Sequence, residues 1–274
     1  MKHSSAKLHT NSSCADMHET QEVYMRKSIV AAIVIVMAVS ISGQALASDI
    51  RFNQAISQGA FSSLSKEAGV AFAFKNNAPP HSLGLTGFDA GVELSAIDIN
   101  KESDYWKEAF GGNAPSYIFL PKLRVRKGLP FGIDVGAMYS NVSNTNIQLY
   151  GFEVSKSVLE GGVAMPALGV RGTYTRLAGV NDLDLQTFGL DASVGKGILF
   201  LTPYAGAGYL WINSKASGNL QKLASTTAPL KSEKLSQGRV FAGLEIKPLP
   251  LVRIVGEVEY ALRPIYSLKL AVGF

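Results

Sequence analysis

Of four histidines in the 274-residue chain, His3, His9 and His18 lie near the N-terminus and only His81 stands in the body of the sequence. The single cysteine, Cys14, is N-terminal too. Past that region there is no thiol to act as a nucleophile and no pair for a disulfide. One histidine without a cysteine or a second histidine makes no metal site. No nucleotide or redox motif appears, so no cofactor is expected. His81 is followed by Ser82, but neighbours on an extended chain point to opposite sides and cannot act as a base and its nucleophile. A serine distant in sequence would be needed for that chemistry. Glu257 and Glu259 share one face of a strand, a spacing that in principle suits a glycosidase dyad or a proton pair but reads first as part of a salt-bridged lumen. No residue is expected to be catalytic.

The elements that must carry these groups repeat every two residues. Phe88, Ala90, Val92 and Leu94 alternate with Asp89, Gly91, Glu93 and Ser95, and Phe131 to Tyr139 alternate in the same way. Further alternating runs centre on 168–171, 188–194, 240–246, 252–260 and 266–274, with weaker ones at 116–126, 146–156 and 199–213. Strands of about ten residues, apolar on one face and small or charged on the other, are what a membrane-spanning β-barrel requires. Connectors alternate as well: tight at 127–129, 160–162, 195–197 and 248–250, long and polar at 99–115 and 214–233. Short turns opposite longer loops are the asymmetry of such barrels. The expected fold is an all-β, antiparallel up-and-down transmembrane barrel of about 10–12 strands. The count turns on whether 67–75, where Val70, Phe72 and Phe74 alternate, is a strand or lies inside the barrel or beneath it. Phe52, Ile56, Ala60 and Leu64 recur at helical spacing, predicting a short N-terminal helix over 52–64, either periplasmic or a plug.

Composition agrees: 47% of residues are hydrophobic and only 17% charged, against about a quarter in soluble domains. The net charge of +5 is spread thinly, which excludes a nucleic-acid surface. Met25-Arg26-Lys27, an apolar stretch over Ile29–Ile41 and Ala45-Leu46-Ala47 form the pattern of a secretory signal with cleavage before Ser48. Residues 1–47 are therefore expected to be an N-terminal extension and signal peptide, with Met25 a candidate start. Residues 48–66 are expected to be a periplasmic or plug segment, and 67–274 the barrel.

The strand opposite each apolar series places charges on one face. Lys122, Arg124, Arg126, Arg171, Arg239, Arg253 and Lys269 are set against Asp89, Glu93, Asp134, Glu153, Asp191, Glu245, Glu257 and Glu259. Ionisable groups at membrane depth must face a cavity or one another. Seven cations against eight anions suits a filled, cross-linked lumen; a small wet pore with weak selectivity is the other reading.

The last ten residues, with Tyr266, Leu268, Leu270, Val272 and a terminal Phe274 at every second place, resemble the C-terminal assembly signal of Gram-negative outer-membrane β-barrels. The resemblance implies recognition by the barrel-assembly machinery, outer-membrane lipid as the surrounding partner, and pairing of the last strand with the first. It implies a bacterial outer-membrane address reached by Sec export. It carries no activity. A structural barrel or narrow passive channel for small solutes comes first, with a lipid-modifying enzyme or a hydrophobic-substrate transporter as alternatives. Oligomeric state is left open.

Overall fold

A computed structural model describes residues 49–143, 145–162, 164–225 and 228–274. Signal-cleavage residues Ala45, Ala47 and Ser48 lie outside the described residues. Ten strands form the wall: β1 (Phe88–Asp98), β2 (Tyr117–Leu129), β3 (Ile133–Asn141), β4 (Gln148–Leu159), β5 (Ala167–Ala178), β6 (Leu183–Gly195), β7 (Leu201–Ala216), β8 (Glu233–Leu249), β9 (Val252–Tyr260) and β10 (Pro264–Gly273). Each pairs antiparallel with its chain neighbours, and β1 pairs with β10 over Asp89↔Gly273 to Ile97↔Ile265, closing the barrel. Closure leaves no strand edge unpaired, which a lipid-facing sheet requires.

Among the described residues three α-helices accompany the wall: α1 (Gln58–Phe72) ahead of β1, α2 (Asp104–Ala109) between β1 and β2, and α3 (Gly218–Ser225) between β7 and β8. Both α2 and α3 belong to the end that carries the longer loops, while the connections at 130–132, 196–200 and 250–251 make the short-turn end. Among the described residues no helix is long and apolar enough to cross a membrane.

The outer wall is apolar where strands alternate outward. Leu123, Val125, Phe152, Val154, Leu190, Val240 and Leu268 are each more than half exposed, an apolar belt far larger than a water-soluble monomer tolerates. Aromatic rings fringe the belt at both ends. Tyr139 and Tyr150 (5.2 Å between centroids) and Tyr209 and Trp211 (5.5 Å) sit toward the loop end. Phe88 and Phe274 meet edge-on at 4.8 Å at the turn end. Such rings settle at the headgroup level of a bilayer. The terminal residues Tyr266, Leu268 and Phe274 are exposed, and Leu270 and Val272 partly so, on the outer face of β10. Phe88 and Phe274 also exchange backbone hydrogen bonds (3.0 and 3.1 Å), so the last residue seals the seam.

The segment ahead of β1 differs from the sequence expectation. The helix begins at Gln58, six residues later than the spacing of Phe52 implied, because Ser57 caps it by accepting from the Ala60 amide at 3.2 Å. It continues to Phe72, and the alternation of Val70, Phe72 and Phe74 is a helix end running into extended chain, not a strand. The barrel wall therefore starts at Phe88 rather than at 67, and strand number is ten. Of the residues ahead of β1, the mainly buried stretch 61–80 runs through the interior. Ile50 exchanges hydrogen bonds with Asn146 (3.0 and 2.9 Å), Arg51 donates to Ala109 (3.0 Å) and Phe52 donates to Asp182 (3.1 Å). All three partners belong to the loop end, so the chain enters there, descends the lumen and leaves at the turn end into β1.

Candidate functional site: the filled lumen

The interior has two storeys. In the half nearest the loops, inward positions of the wall are mostly apolar: Ile97, Leu120, Leu149, Leu185, Ile212 and Ile265 are all buried, with Thr175, Thr187 and Ser214 among them. They pack with Phe61, Leu64, Ala68 and Phe72 of α1 in one apolar cluster. Gly69 lets the helix touch the wall, since a Cβ there would lie 2.4 Å from Ile212. The expectation of a polar lumen is thus corrected for this half, where a helix rather than water meets the strands.

In the half nearest the turns, every one of the fifteen charged positions inferred from alternation is buried, from 1% exposure for Asp89 to 9% for Arg253. Arg124 is the hub. Its guanidinium grips Glu153 at 2.7 Å, reaches Glu93 at 3.6 Å, donates to the Asn76 carbonyl at 2.8 Å and lies 4.7 Å over the Phe74 ring. Lys122 joins Glu93 at 2.6 Å, and Arg126 bridges Asp134 at 2.9 Å and Glu153 at 3.4 Å. Arg171 lies between Glu153 (3.3 Å) and Asp191 (3.6 Å). Arg239 holds Asp191 at 2.7 Å and Glu259 at 3.1 Å. Asp89 takes Lys269 at 3.2 Å and Arg253 at 3.6 Å, while Glu245 takes Lys247 at 3.1 Å.

Residues 73–83, in neither helix nor strand, thread this network and use it to satisfy their own backbone. The Phe74 carbonyl accepts from Arg239 at 2.7 Å, and the Asn76 carbonyl also accepts from Arg171 at 2.8 Å. The Asn77 amide donates to Glu257 at 2.8 Å and the Leu83 amide to Asp134 at 3.0 Å. Pro80 passes where the wall has Gly169 and Gly195, whose added Cβ atoms would lie 2.9 and 2.8 Å from it. Lys75, missed when only strands were counted, binds Glu259 at 2.9 Å. It supplies a further buried cation, from the interior segment, to the acidic positions of the wall. A cavity of about 20 Å³ between Asn76, Pro80, Arg126, Arg171 and Ser193 is room for about one water molecule.

Glu257 and Glu259 do not act as a pair. Glu259 is engaged by Lys75 and Arg239, whereas Glu257 accepts from the Tyr204 hydroxyl at 2.7 Å and from Asn77. His81 and Ser82 diverge: His81 Nε2 faces Glu245 at 4.0 Å, and Ser82 Oγ donates to Glu160 at 2.7 Å. Among the described residues no group of three or more His, Cys, Asp or Glu side chains forms a metal cluster.

No protein-family model and no curated protein sequence matches the chain. Among solved structures it overlaps the N-terminal β-barrel domain of Pseudomonas aeruginosa OprF at 14% identity, over 67% of this chain and 97% of that one, with a TM-score of 0.32. P. aeruginosa OprG overlaps at 10% identity, over 71% and 98%, with a TM-score of 0.37. The KdgM porin overlaps at 10% identity, over 68% and 99%, with a TM-score of 0.32. Its closed wall, apolar exterior and short turns opposite longer loops give the chain the fold of a membrane-spanning β-barrel of the outer-membrane type.

The network predicts unequal costs for its members. Arg124→Ala leaves Glu153 short of its two-pronged partner and the Asn76 carbonyl with one donor fewer, and should cost about 3–5 kcal/mol. Arg253→Ala removes only a 3.6 Å contact from an Asp89 still held by Lys269, and should cost clearly less than Arg124→Ala. Urea unfolding of the refolded barrel in detergent reads both; equal losses would contradict the hub assignment.

A second prediction concerns pH. His81 lies at the turn-end mouth, and burial holds its imidazole at about 4, against the pull of Glu245. Between its ordinary value near 6.5 and that value, the unfolded chain binds a proton that the folded chain refuses. This contribution to stability is complete above about pH 6.5 and declines as pH falls toward 4. His81→Gln should flatten the decline by at most about 1.4 kcal/mol per pH unit. Unfolding midpoints across that window check it; identical slopes in the two proteins would contradict it.

Proposed function

We propose that the protein is a structural outer-membrane barrel, closed at rest by its own N-terminal segment, which presents its loop end to the exterior. The observation that carries this reading is the passage of residues 73–83 through the charged half of the lumen, where strand charges take up their backbone groups. A narrow passive channel would require that segment to leave, exposing Glu257, Glu259 and their cationic neighbours without Asn77 and Lys75. The reading assigns no reaction to the chain, since the one histidine of its body meets a carboxylate and not a nucleophile. A transporter of hydrophobic substrates finds little support, because α1 already fills the apolar half. The C-terminal strand, with Tyr266, Leu268, Leu270, Val272 and Phe274 outward, serves in this reading as the assembly signal.

Planar-bilayer recording tests it. The wild-type barrel should give no steady current, while a chain lacking 49–77 behind the same export signal should pass small ions if its wall still closes. A steady wild-type conductance on the nanosiemens scale would overturn the closed-barrel reading.

A further inference from the structure

The small cavity in the charged half of the lumen is lined unlike the network around it. The wall gives it Arg126 on β2, Ser155 on β4, Arg171 on β5 and Ser193 on β6, while Asn76, Pro79 and Pro80 close the other side. No carboxylate lines it. The ammonium of Lys156, the remaining cation at its edge, donates to the Phe131 carbonyl. Arg126 and Arg171 are 6% and 5% exposed, yet Arg126 Nε and Arg171 Nε and Nη2 have no hydrogen-bond partner. The nearest acids are overcommitted. Arg126 Nε stands 3.4 Å from Glu153, which Arg124 and Arg171 also approach at 2.7 and 3.3 Å. Arg171 Nη2 stands 3.6 Å from an Asp191 that Arg239 holds at 2.7 Å. Among the described residues neither the Ser155 nor the Ser193 hydroxyl has a hydrogen-bond partner.

A water molecule in this space would need acceptors as well as donors, and the lining is short of acceptors. A guanidinium only donates. The Asn76 carbonyl is already taken by Arg124 and Arg171, both at 2.8 Å. Pro79 and Pro80 carry no N–H, so every donor comes from the wall. The hydroxyls of Ser155 and Ser193 are free to turn their protons inward, which makes the shell one of donors throughout. An acceptor with no hydrogens of its own matches such a shell, and ionised guanidinium at this depth calls for compensating negative charge. About 20 Å³ holds one species of atomic size and excludes a phosphate or a carboxylate. Ser155, Ser193 and Pro80 are only partly buried, so a small ion reaches the space from the turn end.

We propose that this cavity binds one monatomic anion of chloride size, held between Arg126, Arg171, Ser155 and Ser193 where the threaded segment meets the wall. The test unfolds the full refolded barrel with urea in detergent, replacing sodium gluconate by sodium chloride at constant ionic strength. A site half-filled near about 10 mM lowers the wild-type unfolding constant about tenfold at about 100 mM chloride. Ser155→Ala/Ser193→Ala should respond less than about twofold, while Ser232→Ala, exposed ahead of β8, should respond like wild type. Altered gel mobility on heating verifies that each variant is folded. Crystals of the wild-type barrel grown in sodium bromide should show an anomalous peak between the two serines and the two arginines. Equal wild-type stability in the two salts would overturn the proposal even if the double variant failed to fold. So would an undiminished chloride response in the folded double variant, or bromide crystals with no peak in the cavity. A peak without the stability response would mean an adventitious ion only, and would overturn it as well.

Discussion

An ionised side chain at membrane depth has to find its partners inside the protein, and the rest of this structure follows from that constraint. Sixteen charges, fifteen from the wall and Lys75 from the interior segment, share a space that water barely enters. Breaking a buried pair costs far more than a surface pair contributes, so the network is rigid in a way its individual bonds are not. Arg124 shows how the constraint propagates. Its guanidinium fixes Glu153 on β4, approaches Glu93 on β1 and closes on a carbonyl of the threaded segment, so one side chain on β2 ties wall to plug.

The same economy explains why the threaded segment is extended where it is and helical where it is. In the apolar half the wall offers α1 few polar partners, the Ser214 hydroxyl that bonds Ser65 being one, so the backbone satisfies itself within α1 and offers Phe61, Leu64 and Phe72 outward. In the charged half, guanidinium groups and carboxylates supply partners for Phe74, Asn76 and Asn77, and the helix can end. The loops finish the closure from outside. Asn146, Asp182 and Asn219 each hydrogen-bond the backbone of Ile50 or Phe52, drawing three connections onto one short stretch.

Much of the wall was legible because alternation is a two-residue signal and lipid makes it strict. Asp89 and Glu93 on β1, Arg124 and Arg126 on β2, and Glu257 and Glu259 on β9 all point inward as that period requires. The interior segment was not legible from periodicity. Val70, Phe72 and Phe74 alternate by coincidence of a helix end with extended chain, and apolar residues face the wall on every side there. Lys75 was hidden for the same reason, and with it the partner of Glu259 inside the lumen. Inward apolar positions such as Leu149 and Leu185 make sense only once α1 is known to fill the space they face. The hub role of Arg124 over Arg253 was equally beyond the sequence, since both occupy equivalent inward places and differ only in what lies across the lumen.

The central claim is that the segment ahead of β1 is as much a part of the folded interior as the strands. Amide hydrogen exchange of the barrel in lipid nanodiscs measures this directly. Amides of Leu64–Phe72 and Asn77 should exchange as slowly as those of β2 and β9, because each is hydrogen-bonded in a closed interior. Exchange at those positions on the timescale of the exposed outer loops, with the strands still protected, would contradict the account.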